Sequence, residues 1–354
     1  MTDHLVEGVL AGDRRAIART ISLIEDNGAE AQATLAALHP YTGRAHIVGV
    51  TGPPGSGKSS LVNALALHFR RGATGERGEG RSPKTVGIIA VDPTSPFSGG
   101  AILGDRIRMR DLAGDPGIFI RSMASRGSLG GLAWATADAV KVLDAAGFAL
   151  IFIETVGAGQ AEVDIARTAH TTVVVEVPGL GDDVQAIKAG ILEIADIFAV
   201  NKADHEGADH AVMALRMMLD LDLGGTATVL HHGRLMEVVR TAAGGKEPES
   251  QGPVQPAGPS AWRPPIFKTI ATRHEGVVDL AAAILAHRTY LEQSGQLVQR
   301  ERERAAAELE TIIQQESLRR VLAWARGEKL AALIDRIVRR EIDPYTASQH
   351  LLGC

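Results

Sequence analysis

Cysteine is nearly absent from this chain; the only one is Cys354, the last residue. No disulfide can form within the chain, which excludes a stapled scaffold and fits a reducing compartment. Aromatic residues are scarce at 4%, so the core has to be built from Ala, Val, Ile and Leu. Long apolar runs are missing as well. The most hydrophobic run, residues 148–153, falls far short of the roughly 18 residues that span a bilayer and reads as a buried strand. No basic block stands out, and a formal net charge of -5 gives no nucleic-acid surface. Asp3, His4 and Glu7 in the opening residues fit neither a signal peptide nor an Arg-rich transit peptide. The expectation is a cytoplasmic protein with no membrane and no nucleic-acid partner.

What is present is ordinary in bulk and specific in order. Hydrophobic content of 45% and charged content of 22% are those of a globular chain, and 354 residues suffice for one large core with helical additions. Leu5, Val9, Leu10, Ile17, Ile21, Ile24, Leu35 and Leu38 recur at helical spacing. Breaks at Gly12-Asp13 and Asn27-Gly28 divide this region into several helices, with Asp13 an N-cap. After His39-Pro40-Tyr41-Thr42-Gly43 the pattern changes to short β-rich runs separated by helical stretches. The runs are 45–50, 86–91, 118–121, 148–153, 172–177, 197–200, 226–230 and 266–269. Near-continuous apolar strands alternating with helices predict an α/β fold, a mostly parallel sheet with helices on both faces. Sites in such sheets lie beyond the carboxyl ends of the strands. Segments 72–84 and 243–260, rich in Gly, Pro and charge, read as surface loops.

From about Glu275 the chain reads as helical. Leu330, Leu333, Ile334, Ile337 and Val338 form one apolar stripe, Asp343-Pro344 ends that helix, and a short last helix covers 345–352. The stripe either packs on its own domain or serves as a dimerisation arm. The expected organisation is a helical N-terminal extension (1–43), a nucleotide-binding domain (44–290) and a C-terminal helical arm (291–354).

The chemistry gathers at strand ends. Gly52-Pro53-Pro54-Gly55-Ser56-Gly57-Lys58-Ser59 fits G-x-x-x-x-G-K-[ST], between a strand and a helix that opens at Ser60. Glycines let backbone N–H groups turn inward to cradle phosphate, and the helix N-terminus adds a favourable dipole. Lys58 reaches the β- and γ-phosphates, and the Ser59 hydroxyl is a Mg²⁺ ligand. Asn201-Lys202-Ala203-Asp204 follows the strand 197–200 and fits the guanine-reading N-K-x-D element. Asp204 would accept from the ring N–H and the exocyclic amino group of guanine, donors that adenine does not offer in that arrangement. The expected ligands are therefore GTP and GDP. Glu154, Asp92 and Asp105, at or after strand ends, are candidate Mg²⁺ ligands with Ser59, and Gly157 is a candidate γ-phosphate sensor. In Ras-like proteins a water-orienting Gln directly follows the corresponding glycine. Here Ala158 does, and Gln160 comes two residues later, so unaided hydrolysis is expected to be slow. Arg106, Arg108 and Lys188 are candidate electrostatic helpers. His231-His232 has no nearby third ligand and reads as loop histidines.

Taken together, these residues resemble the MeaB/ArgK branch of the metallochaperone-type P-loop GTPases. The resemblance is carried by residues 52–60, Asp92-Pro93-Thr94, 99–109, 154–160, 178–190, 201–204 and the terminal Asp343-Pro344-Tyr345, and it covers nearly the whole chain. It implies a P-loop NTPase fold and a GTPase that binds an adenosylcobalamin-dependent acyl-CoA mutase. Such a GTPase gates cofactor loading and protects or reactivates the mutase. It also implies switch segments around residues 92–108 and 154–162, and a third at 178–190 in which Asp182 and Lys188 link nucleotide state to the mutase. Dimerisation through the C-terminal arm is implied too. Where the family usually reads Ser-Ala near the guanine, this chain has Thr269-Ile270-Ala271. Two other readings share the motifs: a GTPase for nickel insertion and a kinase of a transport-system protein. Residues 1–50 hold no Cys, and His4, His39 and His46 lack ligand spacing, against the first. The N-K-x-D element and the missing hydrolytic Gln fit a switch better than a kinase.

Overall fold

The computed structural model describes residues 2–26, 28–72, 83–93, 112, 114–125, 134–155, 161–179, 193–222, 227–231, 234–238, 262–325 and 328–352. Helices α1 (Thr2–Leu10), α2 (Arg14–Glu25) and α3 (Ala29–Leu38) open the chain. They break at Gly12-Asp13 and around Gly28, and the Asp13 carboxylate accepts the Arg15 N–H at 2.9 Å, capping α2. Then follow β1 (His46–Thr51), α4 (Lys58–Arg71), β2 (Val86–Pro93), β3 (Ile118–Ser125), α5 (Trp134–Ala145), β4 (Leu150–Thr155) and α6 (Ala161–Thr168). The chain continues through β5 (Thr171–Glu176), β6 (Ile197–Asn201), α7 (Ala208–Asp222), β7 (Ala227–His231), β8 (Arg234–Val238) and β9 (Ile266–Thr269). Helices α8 (Val277–Gln293), α9 (Gln296–Ala325), α10 (Glu328–Val338) and α11 (Pro344–Leu352) close it. It divides into two compact units, Met1–Leu297 and Val298–Cys354.

Seven strands form one parallel sheet in the order β3-β2-β4-β1-β5-β6-β9. From β1 the chain winds first toward β3 and later toward β9, so the carboxyl end of β1 stands where the winding direction reverses. Ligand sites of open α/β sheets form at that place. Every residue of β1, β4 and β5 is buried, as strands covered on both faces require. The period of two then sorts their side chains. Ile47, Ile89, Val91, Ile151 and Ile153 pack with α1–α3, α5 and α6. Val48, Val50, Val86, Ile88, Leu150, Phe152 and Val173 pack with α4 and α8 on the other face. Val174, Phe198 and Val200 pack under α7.

The N-terminal helices belong to this core rather than hanging from it. Val9, Ile17, Ile21, Ile24 and Leu38 share a cluster with Ala139, Val142 and Leu143 of α5. Arg14 donates to the Asp115 and Ile118 carbonyls, and Arg121 of β3 pairs with Glu25. The segment leading into β1 is held by a buried carboxylate. Asp144 of α5 accepts the backbone N–H groups of Gly43, Arg44 and Ala45 at 2.5, 3.1 and 2.9 Å.

Two sequence expectations change. The run 226–230 does not join the parallel sheet. As β7 it pairs antiparallel with β8, a strand the periodicity does not predict, with His231 opposite Arg234. A short β-rich run reports propensity and not its partner, and a partner close in sequence costs less loop-closure entropy. The strand expected at 148–153 runs instead from Leu150 to Thr155. Gly147 adopts φ +85° and the Phe148 N–H bonds to Leu143 O, so Phe148 finishes the turn after α5. Segments 73–82 and 239–261, which hold most of the two expected surface loops, lie outside the described residues.

In the second unit, α10 carries the predicted stripe. Ile334 and Val338 on it are 50% and 73% exposed. The Asp343 carboxylate accepts the Tyr345 and Thr346 N–H groups, capping α11, with Pro344 in the first turn. Among the described residues, no helix is long and apolar enough to cross a membrane.

Candidate functional site

Beyond Thr51 the chain turns through residues 52–57 and enters α4 at Lys58. The turn depends on glycine at two close approaches. Gly52 has φ +138°, and a Cβ there would stand 2.1 Å from the Val175 carbonyl oxygen of β5. Gly57, which precedes α4 with φ +87°, would bring a Cβ to 2.4 Å from Asn201 Nδ2. Only residues without side chains let this loop lie so close to its neighbours at these two positions. Lys58 is buried, and its ammonium donates to the Gly52 and Pro53 carbonyls at 2.9 Å each, folding back over the loop. Pro54, Gly55 and Ser60 are exposed, whereas Ser56 is buried.

Ser59, one residue into α4, donates to Glu154 Oε1 at 2.5 Å, and both side chains are buried. Glu154 reaches this position because β4 extends to Thr155, with Glu154 opposite Val50 of β1 and Ala90 of β2. Beside it, the Thr51 and Thr155 hydroxyls bond at 3.1 Å. A serine hydroxyl and a carboxylate side by side, next to a phosphate-type loop, are hard oxygen donors. The pair fits Mg²⁺, whose octahedral shell would be completed by phosphate oxygens and water.

A second loop follows β6. Asn201, 2% exposed, donates from Nδ2 to the Ser56 carbonyl at 2.8 Å. Its Oδ1 accepts from Thr269 Oγ1 and from the Ala271 N–H, both at 3.2 Å. The next residue, Lys202, has φ +56°, a left-handed conformation unusual for a side-chain-bearing residue. The Ala203 N–H then bonds to Thr269 O at 3.1 Å. One amide thus ties the phosphate-type loop, the N-K-x-D element and the Thr269-Ile270-Ala271 segment into a single cluster. Asp204 is part-exposed, and its carboxylate lies 3.6 Å from the Arg273 guanidinium.

Lys58, Ser59, Glu154, Asn201, Thr269 and Ala271 therefore gather at the carboxyl ends of β1, β4, β6 and β9. Asp92 falls near the end of β2, opposite Ala124 of β3. Asp105, Arg106, Arg108, Gly157, Gln160, Asp182 and Lys188 lie outside the described residues. Sequence reasoning missed Thr51 and Arg273, and took Thr155 only as part of the 154–160 segment. No local signal marks them, since each acquires its place from a neighbour on a distant strand or loop.

A model of the family described as methylmalonyl-CoA mutase-associated GTPase MeaB matches residues 17–326. A chain from Pyrococcus abyssi (strain GE5 / Orsay) named as a GTPase is 46% identical over 352 residues, covering 99% of this chain and 96% of that one. GTPase ArgK from Escherichia coli (strain K12) is 32% identical over 316 residues, covering 88% of this chain and 83% of that one. Among solved structures, one described as an LAO/AO transport system kinase superposes with a TM-score of 0.65 at 24% identity, covering 99% of this chain and 96% of that one. That likeness concerns the fold. The parallel sheet, the strand–loop–helix at Lys58 and the matches along nearly the full length converge, and the chain belongs to the MeaB family of P-loop GTPases.

Proposed function

We propose that this protein binds GTP and GDP with Mg²⁺ at the carboxyl ends of β1, β4 and β6, and uses the nucleotide as a switch that acts on an adenosylcobalamin-dependent acyl-CoA mutase. The observation that supports the nucleotide reading is the Asn201 amide, which joins the loop at Ser56 to Ala271 and would so hold the proposed phosphate and base elements at one spacing. When bound, GTP would supply the phosphoanhydride and Mg²⁺, held by Ser59 and Glu154, would offset charge on its oxygens. In this reading Lys58 exchanges its carbonyl partners for phosphate oxygens, and Ser59 and Glu154, with Asp92 and Asp105, orient the cation. Asp204 reads the guanine edge, and Thr269-Ile270-Ala271 borders the base. Gly157 senses the γ-phosphate, while Gln160, Arg108 and Lys188 assist hydrolysis. With no Gln directly after Gly157, hydrolysis is slow in the isolated protein and faster on the partner.

The partner reading is supported by the family, whose description names methylmalonyl-CoA mutase. Asp182 and Lys188 would link nucleotide state to the mutase. The C-terminal arm would join two copies, with the exposed Ile334 and Val338 of α10 at the contact. The test is affinity capture from the source cell with the tagged chain, loaded with GDP or with a non-hydrolysable GTP analogue. An adenosylcobalamin-dependent mutase is expected among the recovered proteins, in amounts that differ between the two nucleotides. Recovery of no such mutase in either state would sink the partner reading and leave the nucleotide site standing.

A further inference from the structure

Asp204, the carboxylate assigned to guanine, already has a cationic neighbour. Arg273 Nη2 lies 3.6 Å from Asp204 Oδ2, with side-chain exposures of 61% and 32%. The arginine is delivered by a closed loop. The Ile270 N–H bonds to Glu275 O and the Arg273 N–H to Ile270 O, each at 3.0 Å, and the His274 N–H bonds to Ala271 O at 3.3 Å. His274 and Gly276 both take positive φ, +59° and +71°. A Cβ on Gly276 would stand 2.0 Å from the Lys268 carbonyl oxygen, so the loop closes tightly on β9. The same loop is bonded to the N-K-x-D segment through Ala271 with Asn201 and through Thr269 with Ala203. The reach of Arg273 to Asp204 is therefore built into the junction of the two loops.

The chemistry of the two partners is alike. Guanine offers a carboxylate two N–H donors, its ring N–H and its exocyclic amino group, on either side of one carbon. A guanidinium offers the same planar N–C–N donor edge. At 3.6 Å the Arg273 contact is an ion pair too long for a good hydrogen bond, so it places a cation beside Asp204 without locking the carboxylate. A half-exposed pair of this kind is weak and exchangeable.

We propose that Arg273 is an internal stand-in for guanine: it holds the Asp204 carboxylate when the base site is empty and is displaced when the base binds. This rests on the reading that Asp204 recognises guanine. Arg273 is then a specificity-tuning residue that lowers nucleotide affinity by the fraction of molecules in which the carboxylate is engaged. Removing it frees the site. The loop remains closed by its backbone bonds, because none of them uses the Arg273 side chain.

The experiment is a thermodynamic cycle on the full chain, reading the Kd of Mg-GDP by calorimetry for wild type, Arg273→Gln, Asp204→Asn and the double variant, with the xanthine analogue XDP as the second probe. Arg273→Gln is expected to tighten GDP binding by about two- to five-fold. In the Asp204→Asn background the same change is expected to alter neither GDP nor XDP binding, since the ion pair is already gone. Unchanged or weaker GDP binding by Arg273→Gln overturns the proposal, and weaker binding would place the arginine in contact with the nucleotide. An equal gain in both backgrounds also overturns it, because the effect would not pass through Asp204. If wild type and Arg273→Gln alike fail to bind GDP, the nucleotide-site reading itself falls, a result distinct from either.

Discussion

At the scale of single residues, burial forces chemistry into one form. Asn201 is the clearest case in the site. The Ala271 N–H can only donate and the Ser56 carbonyl can only accept, so the orientation of the Asn201 amide is set by its partners. His46 is the second case, at the opposite end of β1. Its Nε2 shares the Thr171 hydroxyl, at 2.7 Å, with His287 Nδ1, at 2.9 Å. His170, whose Nδ1 accepts the Ile47 N–H at 3.1 Å, stacks beside it. Burial, and then the nearby His170, Arg288, His287 and Lys84, hold the His46 pKa well below 6.5. In the native state His46 is therefore neutral, whereas in the unfolded chain it takes up a proton as pH falls through 6.5. The unfolded state binds more protons there, so native stability is complete above that value and declines below it. Urea denaturation at pH 7.5 and 5.5 should show a loss on acidification of up to about 1.4 kcal/mol from this group. His46→Gln should reduce that pH dependence whatever its effect on absolute stability. Parallel losses in wild type and variant would contradict the assignment.

At the scale of elements, the join between the N-terminal helices and β1 hangs on Asp144. Its carboxylate receives three backbone N–H groups. Asp144→Ala leaves those donors without their acceptor and should cost about 2–4 kcal/mol, read as a lowered denaturant midpoint. Asp144→Asn, which keeps one acceptor oxygen, should lose less. Equal losses in the two variants would show that packing of α5, and not these bonds, holds the join. The same element shows where sequence reading stops. Helical spacing from Leu5 to Leu38 and the Asp13 cap are local signals, and the helices α1–α3 stand where those signals put them. Asp144 and Gly43 are 101 residues apart, and His46 and Thr171 are 125. A periodicity says that a side chain turns inward, but not which distant neighbour it meets. In the site, residues 52–59 and 201–204 were legible because glycine turns and strand ends carry their own spacing. The contact of Arg273 with Asp204 was not, since it arises only from the approach of two loops. The hairpin of β7 and β8 was half legible, as propensity without a partner.

At the scale of the whole molecule, the parallel sheet collects short-range devices into one place. It brings Glu154 opposite Val50 and Asn201 within reach of Ser56, although Ser56 and Asn201 are 145 residues apart in sequence. The reversal of winding at β1 puts that place where ligand sites of open α/β sheets form. Membership of the MeaB family accords with this architecture along nearly the whole chain. Selection of a guanine nucleotide by the assembled loops is read by paired calorimetric titrations of the full chain with Mg-GDP and Mg-ADP. One GDP per chain is expected, bound at least about 100-fold more tightly than ADP, because a site built to accept two base N–H donors in this arrangement rejects a base lacking them. Equal affinities for the two nucleotides would contradict it.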